Sequence, residues 1–200
     1  MCKLILVTLC VLTAITSAQA AEVSTKPSLT LGGTIIFVNG DIVPGDERQF
    51  RAVAESVSSD VPVVLRSRGG NVLAAMAIGR TIKARGLTTF VGRADYCESA
   101  CGLIWLAGRH AVVQRNSALG FHATALNGQP SPQGDTLVDY YLREIGMSRS
   151  EIAYILGTPQ PSIQWATEAD AAALGIHPQV VPSSLGAWRG CRADYCLAIP

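Results

Sequence analysis

Three short apolar runs frame the first half of this chain. Residues 34–38 and 61–65 are apolar along nearly their whole length, and 87–91 reads as a third strand. Runs of four to eight residues without polar alternation mark strands covered on both faces. Between them the period lengthens to that of a helix. Phe50, Val53, Ala54 and Val57 recur at helical spacing. Asp46 reads as the N-cap of that helix, with Gln49 in the capping-box position. Val72, Ala75, Met76, Gly79 and Ile82 form a second helical stripe, which Gly86 closes. Strand, helix, strand, helix, strand at short intervals predicts a right-handed parallel α/β unit.

The second half continues the pattern with shorter pieces. A turn leads into an apolar helix at 99–107. Strands follow at 111–113 and 118–121, the second running directly into His122. Residues 123–134 are rich in Gly, Pro, Asn and Gln and read as a surface loop. An amphipathic helix at 135–145 carries Leu137, Val138, Tyr141, Leu142 and Ile145. Ser148 and Glu151 make a capping box for another short helix, which Pro159 and Pro161 end. A last small helix is read at 168–174. Residues 21–33 are polar and irregular, a flexible lead-in, and 182–200 read as a loop-like C-terminal extension.

The N-terminus stands apart. Lys3, an apolar stretch at 4–15 and the small residues Ser17-Ala18-Gln19-Ala20 match a secretory signal peptide cut after Ala20. The mature protein is then expected in the periplasm or secreted. The apolar stretch is too short for a comfortable membrane span and no second one follows, so the mature chain is read as having no stable span. With 200 residues, 48% of them hydrophobic, the chain can bury a core as one domain at 34–181. Lys and Arg number 16 against 15 Asp and Glu, a balance that gives no reason to expect a nucleic-acid partner.

Export changes the reading of the cysteines. Cys2 and Cys10 leave with the signal peptide; Cys97, Cys101, Cys191 and Cys196 remain. An even number in an exported chain favours disulfides. Local pairs, Cys97–Cys101 and Cys191–Cys196, are preferred. Pairing between the clusters stays open, because Arg-Ala-Asp-Tyr-Cys occurs at both 93–97 and 192–196. Spacings of three and four residues fit zinc sites poorly, so neither a metal nor another cofactor is expected.

Acyl transfer needs a nucleophile, a base and donors for an oxyanion. Ser99 stands at a helix start, where unpaired backbone N–H groups favour negative charge. His122 ends a strand, the place where functional residues of α/β sheets gather. Gly69 and Gly70 allow close backbone approach to a ligand; one of them, with the N–H of Ala100, could form an oxyanion hole. Each also has a plainer role: Ser99 as a helix cap, His122 as a hydrogen-bonded strand-end residue, the glycines as a tight turn.

The order of these pieces resembles the Clp-protease/crotonase-like superfamily, and within it the ClpP-type serine peptidases. Four places carry the resemblance. Asn39-Gly40-Asp41-Ile42 resembles the Gly-x-Ile segment after the first strand. Leu65-Arg66-Ser67-Arg68-Gly69-Gly70 resembles the Ser-Pro-Gly-Gly turn of the oxyanion hole. Glu98-Ser99-Ala100-Cys101 resembles the segment bearing the nucleophilic serine. Leu119-Gly120-Phe121-His122-Ala123 resembles the strand that ends in the catalytic histidine. Farther on, 165–171 and 174–176 resemble the family's Ser-x-x-Glu-Ala and Gly-Leu segment. The resemblance implies a ClpP/crotonase-like fold of repeated β-α units with a short helical handle. It also implies a serine hydrolase with a Ser99–His122 pair acting on a peptide or protein substrate, and a homo-oligomer. Two departures stand out. Arg68 replaces the usual proline, and Ser162, Ile163 and Gln164 occupy the place of the family's catalytic Asp. Asp135, Asp139 and Glu144 are the substitutes within reach in sequence; a backbone carbonyl is the other way to hold the imidazole. The competing readings are a non-catalytic binding or assembly protein of the same fold, and a thiol-redox protein using Cys97 and Cys101, whose spacing is not the C-x-x-C of thioredoxin-type sites.

Overall fold

The computed structural model describes residues 20–28, 31, 33–114, 117–166 and 170, and the backbone of 178–179 and 196–197. Parallel strands β2 (Gly33–Asn39), β3 (Val63–Arg66), β4 (Thr89–Val91) and β6 (Ala111–Val113) lie side by side in that order. Ile36, Val38, Val63, Leu65, Val91 and Ala111 face the main core, while Ile35, Phe90 and Val112 on the other face form a smaller cluster against which Phe37 and Val64 are only partly buried. Helices α1 (Asp46–Glu55) and α2 (Val72–Arg85) fill the connections. Helix α3 (Ala100–Leu106) is buried along its whole length. It packs on α2 and presents Trp105, whose indole N–H donates to the Val112 carbonyl at 3.0 Å.

A second sheet carries the C-terminal side of the domain. Strand β5 (Tyr96–Glu98) pairs in parallel with β7 (Ala118–Phe121), and β10 (Gln164–Trp165) adds antiparallel to β7. The two sheets meet at a bridge between Ser67, just past β3, and Cys97 in β5. Helices α4 (Pro132–Ile145) and α5 (Arg149–Leu156) follow a short hairpin, β8 (Ala125–Leu126) and β9 (Gln129–Pro130). Tyr141 of α4 is fully buried; its hydroxyl donates to the Leu103 carbonyl at 2.8 Å and lies directly over Gly79 of α2.

Several expectations change. The lead-in at 21–33 is not irregular: Glu22–Ser28 form strand β1, paired antiparallel with β2 over seven residues. As an edge strand it buries little beyond Val23, so its sequence stays polar and even admits Pro27. Asp46 is the first residue of α1, not its cap. Gly45 takes that position with a left-handed φ of 109° and no side-chain cap. The Gln49 amide donates to the Val23 carbonyl instead of closing a box. The capping box of α5 does form, with Ser148 and Glu151. The loop at 123–134 contains the β8–β9 hairpin, and α4 begins three residues early, at Pro132, under a Ser131 cap. In the tail, Pro178–Gln179 form β11 and Cys196–Leu197 form β12, which pairs antiparallel with both β11 and β6. The signal-peptide residues 1–19, most of the helix read at 168–174, and Cys191 lie outside the described residues.

Candidate active site

Parallel pairing of β5 with β7 decides the geometry. Glu98 stands opposite Gly120, so the residues that follow, Ser99 and His122, emerge at neighbouring strand ends. The Ser99 N–H donates to the Gly120 carbonyl at 2.8 Å, carrying the pairing one residue past β5. Ser99 occupies the N-cap position of α3 but does not cap it. Its φ is 54° and its ψ −125°, a conformation that costs a non-glycine residue on the order of 1–3 kcal/mol. Its Oγ makes no hydrogen bond among the described residues, and Ser99 lines a cleft of ≈ 50 Å³. The same cleft is lined by Gly70, Ala100, Phe121, His122 and Gln160. The capping role is thereby excluded.

The glycine turn is built for close approach. Gly69 and Gly70 have φ of 96° and 131°, a consecutive pair that residues with a Cβ rarely adopt. A Cβ on Gly69 would lie 2.8 Å from both the Ala100 nitrogen and the Ser99 Cβ. Ile42 clamps the turn from the other side: its N–H donates to the Gly69 carbonyl and its carbonyl accepts from Asn71, both at 2.7 Å. The two glycines have different parts. The Gly69 N–H is taken by the buried Ser67 Oγ at 3.0 Å, which removes Gly69 from the expected set of oxyanion donors. The N–H groups of Gly70 and Ala100 have no acceptor among the described residues, and both residues line the cleft. Arg68, in the place of the expected proline, folds its guanidinium over the Tyr96 ring at 5.8 Å and does not line the cleft.

His122 has one tautomer that satisfies its surroundings. Nδ1 lies 2.6 Å from the Ala123 carbonyl, which can only accept, so the proton sits on Nδ1. Nε2 then carries a lone pair, and the Gln160 side-chain N–H donates to it at 3.3 Å. Ser99 and His122 share the cleft without a hydrogen bond between them. Among the described residues the imidazole is held by the Ala123 carbonyl and Gln160, and the three acids read from the handle helix are engaged elsewhere. Asp135 accepts from the Thr124 N–H and hydroxyl at 2.6 and 2.8 Å, Asp139 pairs with Arg143, and Glu144 pairs with Arg80. The ion pairs hold both surface carboxyls below their usual range, chiefly through the arginine hydrogen bonds.

Cys97 and Cys101 are bonded to each other, with Cα atoms 5.2 Å apart. Cys97 sits in β5 and Cys101 in the first turn of α3, so the bridge spans the Ser99 turn. Both residues are 0% exposed, which leaves no reactive surface for thiol-redox exchange.

No protein-family model matches the chain, and no curated protein sequence matches it. Among solved structures, the chain is similar to a mutant of ClpP1 from Listeria monocytogenes. That likeness has a TM-score of 0.54 at 19% identity, over 70% of this chain and 85% of the other. The fold is ClpP-like. Within the ClpP-like frame, three partners of the site escape a reading of residue types: the Ala123 carbonyl, the Ser67 hydroxyl and Gln160. The carbonyl is common to every residue. Ser67 and Gln160 acquire their parts only when the β3–β5 junction and the turn after α5 bring them in.

Proposed function

We propose that the chain is an exported ClpP-like serine hydrolase acting on peptide or protein substrates. The observation that carries the reading is the strained, uncapped Ser99, which lines the same cleft as His122 and the free N–H groups of Gly70 and Ala100. In the reaction, Ser99 Oγ attacks an acyl carbon while His122 Nε2 takes its proton. The Gly70 and Ala100 N–H groups receive the oxyanion, and α3 presents its positive end to it. Protonated Nε2 then gives its proton to the leaving group, and water, activated the same way, releases the acyl group from Ser99. The Ala123 carbonyl takes the part usually played by an acid: it fixes the tautomer and orients the ring. A neutral carbonyl stabilises the imidazolium less than a carboxylate would, so turnover should be slow. The resemblance further supports a homo-oligomer, and the N-terminal pattern supports cleavage after Ala20 and a periplasmic or secreted protein.

A second reading, a non-catalytic binding or assembly protein of the same fold, is favoured by the missing Ser99–His122 hydrogen bond and by the engagement of Asp135, Asp139 and Glu144 away from His122. Labelling with a fluorophosphonate probe separates the two. Hydrolase chemistry gives labelling that Ser99→Ala abolishes and His122→Ala slows; a chain that shows no Ser99-dependent labelling is not a hydrolase.

A further inference from the structure

Asp46 is the one strongly buried carboxylate among the described residues, 3% exposed. Its Oδ2 accepts from two backbone N–H groups, Val43 at 2.8 Å and Ala21 at 3.3 Å. No Lys, Arg or His lies within ion-pair distance of it among the described residues. Burying a carboxylate without a counter-charge is costly, and two neutral amides compensate only part of it. Ala21 is itself 3% exposed, whereas Ala20 is exposed. Ala21 is also the residue that cleavage after Ala20 would make the N-terminus.

We propose that this cleavage creates a charge-paired site: the new α-ammonium of Ala21 is the counter-ion of Asp46. The inference rests on the export reading, not on the hydrolase chemistry. Hydrolysis of the Ala20–Ala21 peptide bond leaves a carboxylate on Ala20, and the released amine is protonated at neutral pH. The nitrogen already points at Oδ2, so pairing needs no rearrangement. The exposed position of Ala20 becomes open to water, which solvates the remaining ammonium protons. Two other acids are neighbours in the described chain: Asp41, exposed and bridged to Ala20 through its backbone, and Glu22, whose carboxylate pairs with Lys26. The pair has a consequence inside the fold. Asp46 fixes Val43, and the preceding residue, Ile42, clamps the Gly69–Gly70 turn through both its backbone groups. The mature N-terminus is thus tied, through one acid and two residues of chain, to the proposed oxyanion turn.

The test compares the chain that begins at Ala21 with the same chain carrying one added glycine, each with Asp46 and with Asp46→Asn. The glycine moves the ammonium about 3.8 Å along the chain. In the Asp46 background it should lower Tm by roughly 5 °C, and Asp46→Asn should abolish most of that difference. Asp41→Asn should leave it in place. An equal effect in both Asp46 backgrounds, or no effect, overturns the inference. Should Asp46→Asn not fold, reductive methylation of the α-amine decides: Ala21 should react several-fold slower than the added glycine, and equal rates overturn the pair. An intact mass showing an N-terminus other than Ala21 overturns it too, and leaves the reading of Ser99 untouched.

Discussion

Gln160 offers the sharpest test of the proposed chemistry. Its amide N–H donates to His122 Nε2 at 3.3 Å, the atom that must take the Ser99 proton. A lone pair engaged by Gln160 is not available to Ser99, so the resting site is held short of a working dyad. Replacing Gln160 with Ala removes the donor; replacing it with Met removes the donor but keeps a side chain of similar length. A neutral hydrogen bond is worth about 0.5–1.5 kcal/mol net. Releasing it should therefore raise the rate of Ser99 acylation by roughly 2- to 13-fold. Because Gln160 is exposed and water can replace the lost donor, the lower part of that range applies. The assay is the rate constant for labelling by a small fluorophosphonate, with Ser99→Ala as the blank. Both substitutions should accelerate it to a similar degree. Acceleration by Ala alone would mean that Gln160 acts by bulk. No acceleration by either would refute the argument that its N–H restrains His122.

Other expectations follow from the same contacts. Gly70→Ala would place a Cβ 2.2 Å from the Ile42 carbonyl; it should cost about 2–4 kcal/mol in urea unfolding and suppress Ser99 labelling. Cys97→Ser with Cys101→Ser opens a very short loop, and the chain-entropy relation gives about 2 kcal/mol of lost stability, readable by urea titration with and without reductant. Gly79→Ala drives a methyl into the Tyr141 hydroxyl and should destabilise by about 1–3 kcal/mol, a loss that adding Tyr141→Phe should partly reverse. Burial pushes the Tyr141 phenol above its ordinary value of 10.0. The unfolded chain therefore ionises first, and stability present below pH 10 should fall as pH rises beyond it, by up to about 1.4 kcal/mol per unit. Tyr141→Phe should flatten that fall in a pH series of thermal melts.

The parts of the fold legible in sequence are those in which one physical demand dominates. The runs at 34–38, 61–65 and 87–91 supply the parallel strands β2, β3 and β4, fully buried on one face and partly covered on the other, where Phe37 and Val64 stay half-exposed. Ser148 with Glu151 satisfies helix N–H groups within four residues, so that helix start needs no tertiary context. Where context decides, the pattern misleads. Asp46 and Gln49 have the spacing of a capping box, but Asp46 turns to the N–H groups of Val43 and Ala21, and Gln49 reaches across to Val23 of β1. The polar residues of β1 conceal a strand because an edge needs few buried side chains. β5 is three residues long, and its Tyr-Cys-Glu pairs with a strand more than twenty positions away; nothing local distinguishes it from a turn.

The site shows the same division. Local patterns place Ser99 at a helix start and His122 at a strand end, where each has a plainer role; the order of the surrounding motifs is what singles them out as a pair. Their proximity depends on the register of β5 against β7, which no local pattern gives. Ser99 is held in its strained turn by three contacts that act together. Its N–H is fixed to Gly120, the backbone of Gly69 packs against its Cβ, and the Cys97–Cys101 bond joins the strand before it to the helix after it. A cap would have settled for one hydrogen bond to the helix it begins. Here the surroundings hold a strained backbone at a serine that lines the cleft and does not cap its helix, which is the feature the proposed chemistry uses.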